Sequence, residues 1–524
     1  PDMAISIRQE DDGYMEKVEG YVEHIVYRSE ETGYTVMEIS SSDEEYTLVG
    51  TLPFVSEGEY IEARGEFSTH QMYGEQLKVL EYEIKAPEDS VSIERYLSSG
   101  AIKGIGPALA ARIVGRFKDD TFRIIEEEPE RLAEIKGISE KMAMAIGEQV
   151  EEKKDMLLEE IAEKLECLIN GFEKVLYDDD DIFLQNMKTD NLAGDDVQKY
   201  RFWEWTQGVG LFGLWKQFEE NRDEKALAML KRYYDERIAD GLPSCNINTT
   251  APMLTLTYLY DYTKNETYWE TCRDWLKKVL TELPRTEEGG FQHLTSDTLN
   301  EQELWDDTLF MTILFIARMG KLMNDRSCIE EAQYQFELHK KYLEDRKTGL
   351  WFHGWTFKGR HNFAEGLWGR GNSWVTIAIP ELIEILGADC EPVIKRLLTE
   401  ALMNQVEALK TYQADNGMWH TLIDDSDSYL ETSATTGFAY GMLKAAHMGL
   451  IDESFAECGM KPLEAVMDYI SGDGVVGQVS YGTPMGRDGK QFYKDIEIRP
   501  MPYGQAMAIL YLIEARKELT REVK

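Results

Sequence analysis

The chain has 524 residues, 43% of them hydrophobic, and carries 97 acidic against 56 basic side chains, a formal net charge of −41. That length exceeds one ordinary core, so two domains, or a domain plus a module, are expected. The charge excludes broad electrostatic attraction to nucleic acid or to an anionic membrane, though not a local basic patch.

Residues 1–90 alternate apolar and polar side chains in short runs separated by glycine or charge: Gly20–Tyr27, Tyr34–Ile39, Tyr46–Val49, Tyr60–Gly65 and Gln76–Ile84. Period-two alternation predicts strands, and five of them predict a small antiparallel barrel or sandwich. Residues 91–155 then hold two related pieces, Ile102-Lys103-Gly104-Ile105-Gly106-Pro107 and Ile135-Lys136-Gly137-Ile138-Ser139. Each places a glycine-containing tight turn before a helix. Such helix-hairpin-helix units present backbone N–H groups to a DNA phosphate.

Barrel and hairpins together resemble the N-terminal region of RecD2-type DNA helicases over about residues 16–155. The resemblance rests on Tyr27–Tyr34, Gly104-Ile105-Gly106-Pro107 and Gly137-Ile138-Ser139, and it implies a DNA-contacting accessory domain. No GxxxxGK[ST] phosphate loop occurs in the chain, so helicase action is not expected. The cations near the turns are chiefly Lys103, Arg112, Lys136 and Lys141, so DNA contact by this domain is expected to be weak and non-specific. The charged run Glu151-Glu152-Lys153-Lys154-Asp155 marks the expected boundary, with residues 156–524 as the second, larger domain.

In that larger region six nearly all-apolar helices are expected to begin near Gln207, Thr250, Asp307, Gly371, Ala434 and Tyr503. Between them lie charge-studded helices at Leu157–Leu176, Asp223–Asp240, Glu266–Leu283, Arg326–Asp345, Val393–Tyr412 and Ser454–Ile470. A helix apolar on all sides is buried, whereas a striped one faces solvent. Strict alternation of the two kinds implies a mainly α protein: an (α/α)6 toroid with six inner and six outer helices.

Three segments leading into inner helices repeat a pattern of glycine, aromatics and histidine: Gly290–His293, Gly349–Trp355 and Gly417–His420. They suggest short strands or loops at one mouth of the toroid. Trp305, Trp355, Trp368 and Trp374 add flat faces that pack against sugar C–H groups. In Leu304-Trp305-Asp306-Asp307-Thr308-Leu309 two adjacent acids open the third apolar run, either as helix caps or as acid–base groups.

The segments Arg201–Gly208 (RFWEWTQG), Leu304–Met311 (LWDDTLFM), Trp351–Trp355 (WFHGW) and Leu367–Trp374 (LWGRGNSW) resemble the pattern of family 105 glycoside hydrolases. Those are the unsaturated rhamnogalacturonyl hydrolases, related to the family 88 unsaturated glucuronyl hydrolases. The resemblance implies that Asp307 is the catalytic acid/base. It also implies that His293, Trp305, His353, Trp368, Arg370 and Trp374 line the substrate pocket, with Trp205 near its wall. Arg370 would meet the substrate carboxylate. Where many members carry a second active-site Asp, this chain has Asn248. Asp306 is expected to raise the pKa of Asp307 or to cap the helix.

The implied substrate is an oligosaccharide made by a lyase, ending in a 4,5-unsaturated uronic acid, and its double bond is opened by hydration without a metal or other cofactor. Alternatives are a glucuronyl hydrolase acting on another polysaccharide, a sugar 2-epimerase on the same toroid, and a DNA-binding protein with the toroid as scaffold. The six cysteines (Cys167, Cys245, Cys272, Cys328, Cys390, Cys458) show no CxxC pair and no metal-ligand spacing, which predicts free thiols in a reducing compartment. No leader and no run of about 18 apolar residues is visible, so a soluble cytoplasmic protein without a membrane partner is expected.

Overall fold

The computed structural model describes residues 16–29, 34–41, 44–52, 60–70, 74–85, 102–177, 202–295 and 299–521, together with residues 55, 97 and 199. Arg201, which opens the RFWEWTQG segment, and residues 30–33 of the Tyr27–Tyr34 segment lie outside the described residues. The chain divides into two compact units, residues 1–157 and 158–524, and the division falls inside the helix Glu140–Tyr177.

In the first unit five strands, β1 (Glu16–Arg28), β2 (Tyr34–Ser41), β3 (Glu44–Thr51), β4 (Tyr60–His70) and β5 (Gly74–Lys85), close a barrel in the order β1-β2-β3-β5-β4. The inward positions of the alternation fill it with Val18, Val22, Met37, Ile39, Leu48, Ile61, Ala63 and Leu77. One pairing departs from the expected antiparallel pattern. After its hairpin with β4, β5 returns beside β3 in parallel register, Leu48 opposite Leu77, and this pairing removes the last sheet edge.

Both hairpin turns form as the sequence implies. Gly104 and Gly137 take positive φ (99° and 108°), a conformation a side chain resists. They open the helices Pro107–Phe117 and Glu140–Tyr177. Ile102, Ile105, Ile135 and Ile138 are buried in one cluster with Ile113, Ile124 and Leu132. Arg112, counted above among the cations near the turns, donates instead to the Lys136 carbonyl at 2.7 Å.

The second unit is the toroid. Its inner helices are Trp205–Asn221, Ile247–Thr263, Leu309–Met323, Gly369–Leu386, Thr432–His447 and Pro502–Thr520, the third beginning with a π-helical turn at Leu309–Ile313. Each packs on the next, and the sixth packs back on the first, so the ring is closed. The apolar runs are buried all round: Thr432 to Ala446 without exception in the fifth helix, and Tyr503 to Ala515 in the sixth. Outer helices carry polar caps, with Asp223, Asn265 and Asp325 each accepting from first-turn amides. The last outer helix, expected as one piece, is two short helices, Phe455–Met460 and Leu463–Asp468. Pro462 lies between them and lacks the amide to continue the ladder.

At the C-terminal ends of the inner helices the ring is closed by charge. Lys216 and Lys444, both buried, meet the fully buried Glu381 at 3.6 and 3.3 Å. His447 bridges Glu514 (2.9 Å) and Glu518 (2.6 Å). Cations suit this end, where unpaired carbonyls point outward. No described helix is long and apolar enough to cross a membrane.

Candidate active site

At the opposite end, the loops preceding the inner helices are sewn together by backbone pairing. Strand β6 (Glu303–Trp305) pairs with β7 (Gly354–Thr356), Trp305 opposite Gly354. The ladder continues past the strands: Asp306 N donates to His353 O at 3.1 Å, and His293 N to Glu303 O at 3.0 Å. Asn372, in the LWGRGNSW segment, ties the next loop by donating to Trp351 O and accepting from Trp351 N, both at 2.7 Å. Segments far apart in sequence thus converge on Asp306 and Asp307.

The two acids are not on the first helical turn. They form the tight turn between β6 and the third inner helix, whose first amide, from Leu309, bonds to Asp306 O and the next two, from Phe310 and Met311, to Asp307 O. Asp306 is fully buried, and neither carboxyl oxygen has a partner. Its Oδ2 lies against Gly371, where an added Cβ would stand 2.2 Å away, so the glycine of this segment is required by close approach. Asp307 remains partly open: its side chain is 17% exposed, and Oδ1 lies 3.2 Å from Nδ1 of His293. That nitrogen also lies 3.0 Å from Thr308 Oγ1.

Burial decides the protonation states. It pushes Asp307 up to about 7, against the Thr308 amide and the Arg370 charge, which pull it down. Asp306 is held well above the carboxylate range, first by burial and then by the charge of Asp307. Burial takes His293 down to about 3, and His353 also well below the usual range, so both imidazoles are neutral.

Rings line this acid pair in an unbroken wall. His293 stacks on Trp305 (4.1 Å between centroids), Trp305 meets His353 edge-on, and His353 packs on Trp368 at 4.2 Å. The Arg370 guanidinium lies between Trp368 and Tyr503. Tyr503 stacks on Trp205 (4.6 Å), and Trp205 meets Trp374 edge-on. His293, Trp305, His353, Trp368, Trp205 and Trp374 are therefore in one wall, whereas Trp355, expected among the sugar-packing faces, packs instead on Tyr342 and Phe357. Asn248, half-buried, is the second residue of its inner helix. His420 bonds to the Ser428 carbonyl on its own loop.

Both terminal nitrogens of Arg370 are hydrogen-bonded within the protein. Nη1 donates to Ser480 Oγ (2.6 Å) and Ser433 Oγ (3.2 Å), and Nη2 to Thr483 Oγ1 (2.9 Å) and Tyr481 O (3.3 Å). Glu431 balances its charge at 3.8 Å. These bonds hold the loop around Ser480–Thr483 to the pocket wall.

Sequence reasoning missed three contributors. Glu303 accepts from Trp305 Nε1 (2.9 Å) and pairs with Arg487 (2.7 Å). Glu431 caps the fifth inner helix and accepts from Ser480 N. Tyr493 bonds His353. The alternation Glu303-Leu304-Trp305 was a usable signal for the first. Nothing in sequence ties Tyr493 to a histidine 140 positions away.

A closed ring of paired helices whose mouth holds a half-open acid in an aromatic, hydrogen-bonding wall defines a carbohydrate-processing enzyme. The chain belongs to Glycosyl Hydrolase Family 88, which matches residues 181–519. The unsaturated rhamnogalacturonyl hydrolase YesR of Bacillus subtilis is 30% identical over 321 residues, 61% of this chain and 91% of that protein. A crystal structure described as a possible member of the GH105 family, from Klebsiella pneumoniae, is 42% identical with a TM-score of 0.63, over 68% of this chain and 93% of its own. In the first unit, residues 15–87 match the OB-fold domain of the ATP-dependent DNA helicase YrrC, and residues 95–151 a SAM-like helix-hairpin-helix tandem. The RecD2 DNA helicase of Deinococcus radiodurans is 28% identical over 131 residues, but the chain spans only 18% of it. The chain is a glycosidase with a helicase-like N-terminal region.

Proposed function

We propose that this enzyme removes a 4,5-unsaturated uronic acid from the non-reducing end of lyase-generated rhamnogalacturonan oligosaccharides by hydrating its C4=C5 bond. The observation that carries the reading is a single half-open carboxyl, Asp307, raised to about 7 by burial. Ordinary glycosidases need two carboxylates facing each other across the scissile bond. Here Asp306 is fully enclosed and raised by burial, and of the other described acids at the mouth Glu303 is held by Arg487 and Glu431 by Ser433 and Ser480.

One carboxyl suffices for a vinyl ether. Protonated Asp307 gives its proton to C4, leaving an oxocarbenium centre at C5. Water adds to C5 and returns a proton to the Asp307 carboxylate. The hemiketal at C5 opens to a ketone, O5 leaves C5 and remains as a hydroxyl on C1, and C1 collapses to an aldehyde as it expels the aglycone alcohol. Trp205, His293, Trp305, His353, Trp368 and Trp374 hold the sugar ring, Asn248 addresses a hydroxyl, and Arg370 stabilises the wall beside the carboxylate. The test is an unsaturated disaccharide in heavy water, read by ultraviolet absorbance and mass spectrometry. Loss of the conjugated absorbance with aglycone release and deuterium at C4 supports the reading. Conserved total sugar mass without release overturns it in favour of an epimerase.

The helicase-like region supports a second, separate reading: weak DNA contact through the amides at Gly104–Gly106 and Gly137–Ser139. A low-salt gel shift of the full chain checks it, and binding that persists at physiological salt with sequence preference contradicts it.

A further inference from the structure

Tyr493 lies on a four-residue helix, Gln491–Lys494, far in sequence from the acid pair, yet it is buried against the site. Its ring fits a slot between two glycines. A Cβ added at Gly366 or at Gly486 would each stand 2.5 Å from Tyr493 Cε2. Gly366 O in turn accepts from the His353 amide at 3.2 Å, so the slot and the histidine share one backbone frame.

The phenol oxygen has three neighbours. Gly486 N donates to it at 3.2 Å, His353 Nδ1 lies at 2.9 Å, and Met485 Sδ lies at 4.0 Å. A phenol carries one proton. With the Gly486 amide occupying a lone pair, that proton goes either to the imidazole nitrogen at 2.9 Å or to a thioether sulfur at 4.0 Å. The short O–H···N bond wins over a weak sulfur contact at the limit of range. Nδ1 of His353 is then an acceptor, and the imidazole proton must sit on Nε2. Nε2 is buried and has no partner in the structure.

We propose that Tyr493 is a positioning residue: it fixes His353 in the Nε2–H tautomer, so that a neutral N–H is offered to an acceptor oxygen of the bound sugar acid. The indole of Trp368, whose Nε1–H is likewise buried and unpartnered, packs on the same imidazole. Uncharged donors leave the proton of Asp307 undisturbed, which a histidinium beside it would not. Substrate recognition rests on the hydration reading above, but the tautomer does not.

The test uses the full chain labelled with nitrogen-15 histidine. The chain has eight histidines, and the His353 resonance is assigned by its loss in His353→Asn. The tautomer is read from long-range proton–nitrogen correlations without substrate, so failure of the hydration reading would leave this result standing. The expected spectrum has the His353 proton on Nε2 in the wild type and mixed tautomers in Tyr493→Phe. With an unsaturated disaccharide, Tyr493→Phe should raise KM roughly tenfold, the worth of one hydrogen bond near 1.4 kcal/mol. The alkaline limb of the pH profile, set by Asp307, should stay in place. A proton on Nδ1 in the wild type overturns the proposal, as does a folded Tyr493→Phe with unchanged tautomer. Should Tyr493→Phe not fold, the wild-type spectrum alone decides.

Discussion

His293 Nδ1 stands 3.2 Å from Oδ1 of Asp307, and the two groups titrate far apart: burial holds the imidazole near 3 and the carboxyl near 7. Between those values both are neutral, and the pair carries one transferable proton, on the acid. With Asp307 as the proposed proton donor, the active form is predicted to be the protonated one. With an unsaturated disaccharide, kcat/KM should be level below pH 7 and fall tenfold per unit above it. A rate that instead rises through pH 7 would mean that Asp307 works from its ionised form.

The same burial sets a stability dependence. The folded pKa of Asp307, about 7, is raised above the ordinary 3.8. Its protonated form is favoured by folding, so stability is lost as pH rises from 3.8 towards 7. The linked loss is at most about 4 kcal/mol, at about 1.4 kcal/mol per unit. Asp307→Asn should thus unfold at a higher temperature than the wild type at pH 8 and at nearly the same temperature at pH 4. Equal melting at both values would show that the carboxyl is not held protonated by the fold.

Burial, and then the charge of Asp307, raise Asp306 well above the carboxylate range. Asp306 is predicted to keep its proton across the alkaline limb, and Asp306→Asn should then move that limb by less than about half a unit. An acid shift of a unit or more, measured in the same pH series, would restore the view of Asp306 as an ionised neighbour.

At the other end of the ring His447 is raised to about 9: burial lowers it, but Glu514 and Glu518 overcome that effect. This contribution is fully present below the ordinary 6.5 and is lost as pH rises through 9. Replacing His447 by Gln should lower stability by about 1–3 kcal/mol at pH 6 and flatten the dependence between 6.5 and 9. Urea titrations at the two ends of that window test it.

Much of this architecture is legible because it rests on period. The six inner helices are continuous apolar runs, the outer ones are striped, and a ring follows from that alternation. The hairpin turns are legible through Gly104 and Gly137, whose positive φ only glycine accepts freely. The wall of tryptophans and histidines is visible as motifs because its members lie just before an inner helix or in its first turns. Tertiary relations are not legible: the parallel β3–β5 pairing, the break at Pro462, and the use of the Arg370 amines by Ser433, Ser480, Tyr481 and Thr483. Nor is the protonation of the acids. Sequence placed a helix N-terminus against a like charge, and the burial that outweighs the N-terminal amides at Asp307 is a tertiary property.

The account rests most on Asp307 as the proton donor, and turnover of Asp307→Asn measures this directly. The amide keeps size and hydrogen bonding but has no proton to transfer. Loss of the ultraviolet absorbance of a 4,5-unsaturated disaccharide should slow by about 10²–10⁴. Binding, read by quenching of tryptophan fluorescence, should persist because the wall from Trp205 to His293 is untouched. Near-normal turnover in Asp307→Asn would contradict the account.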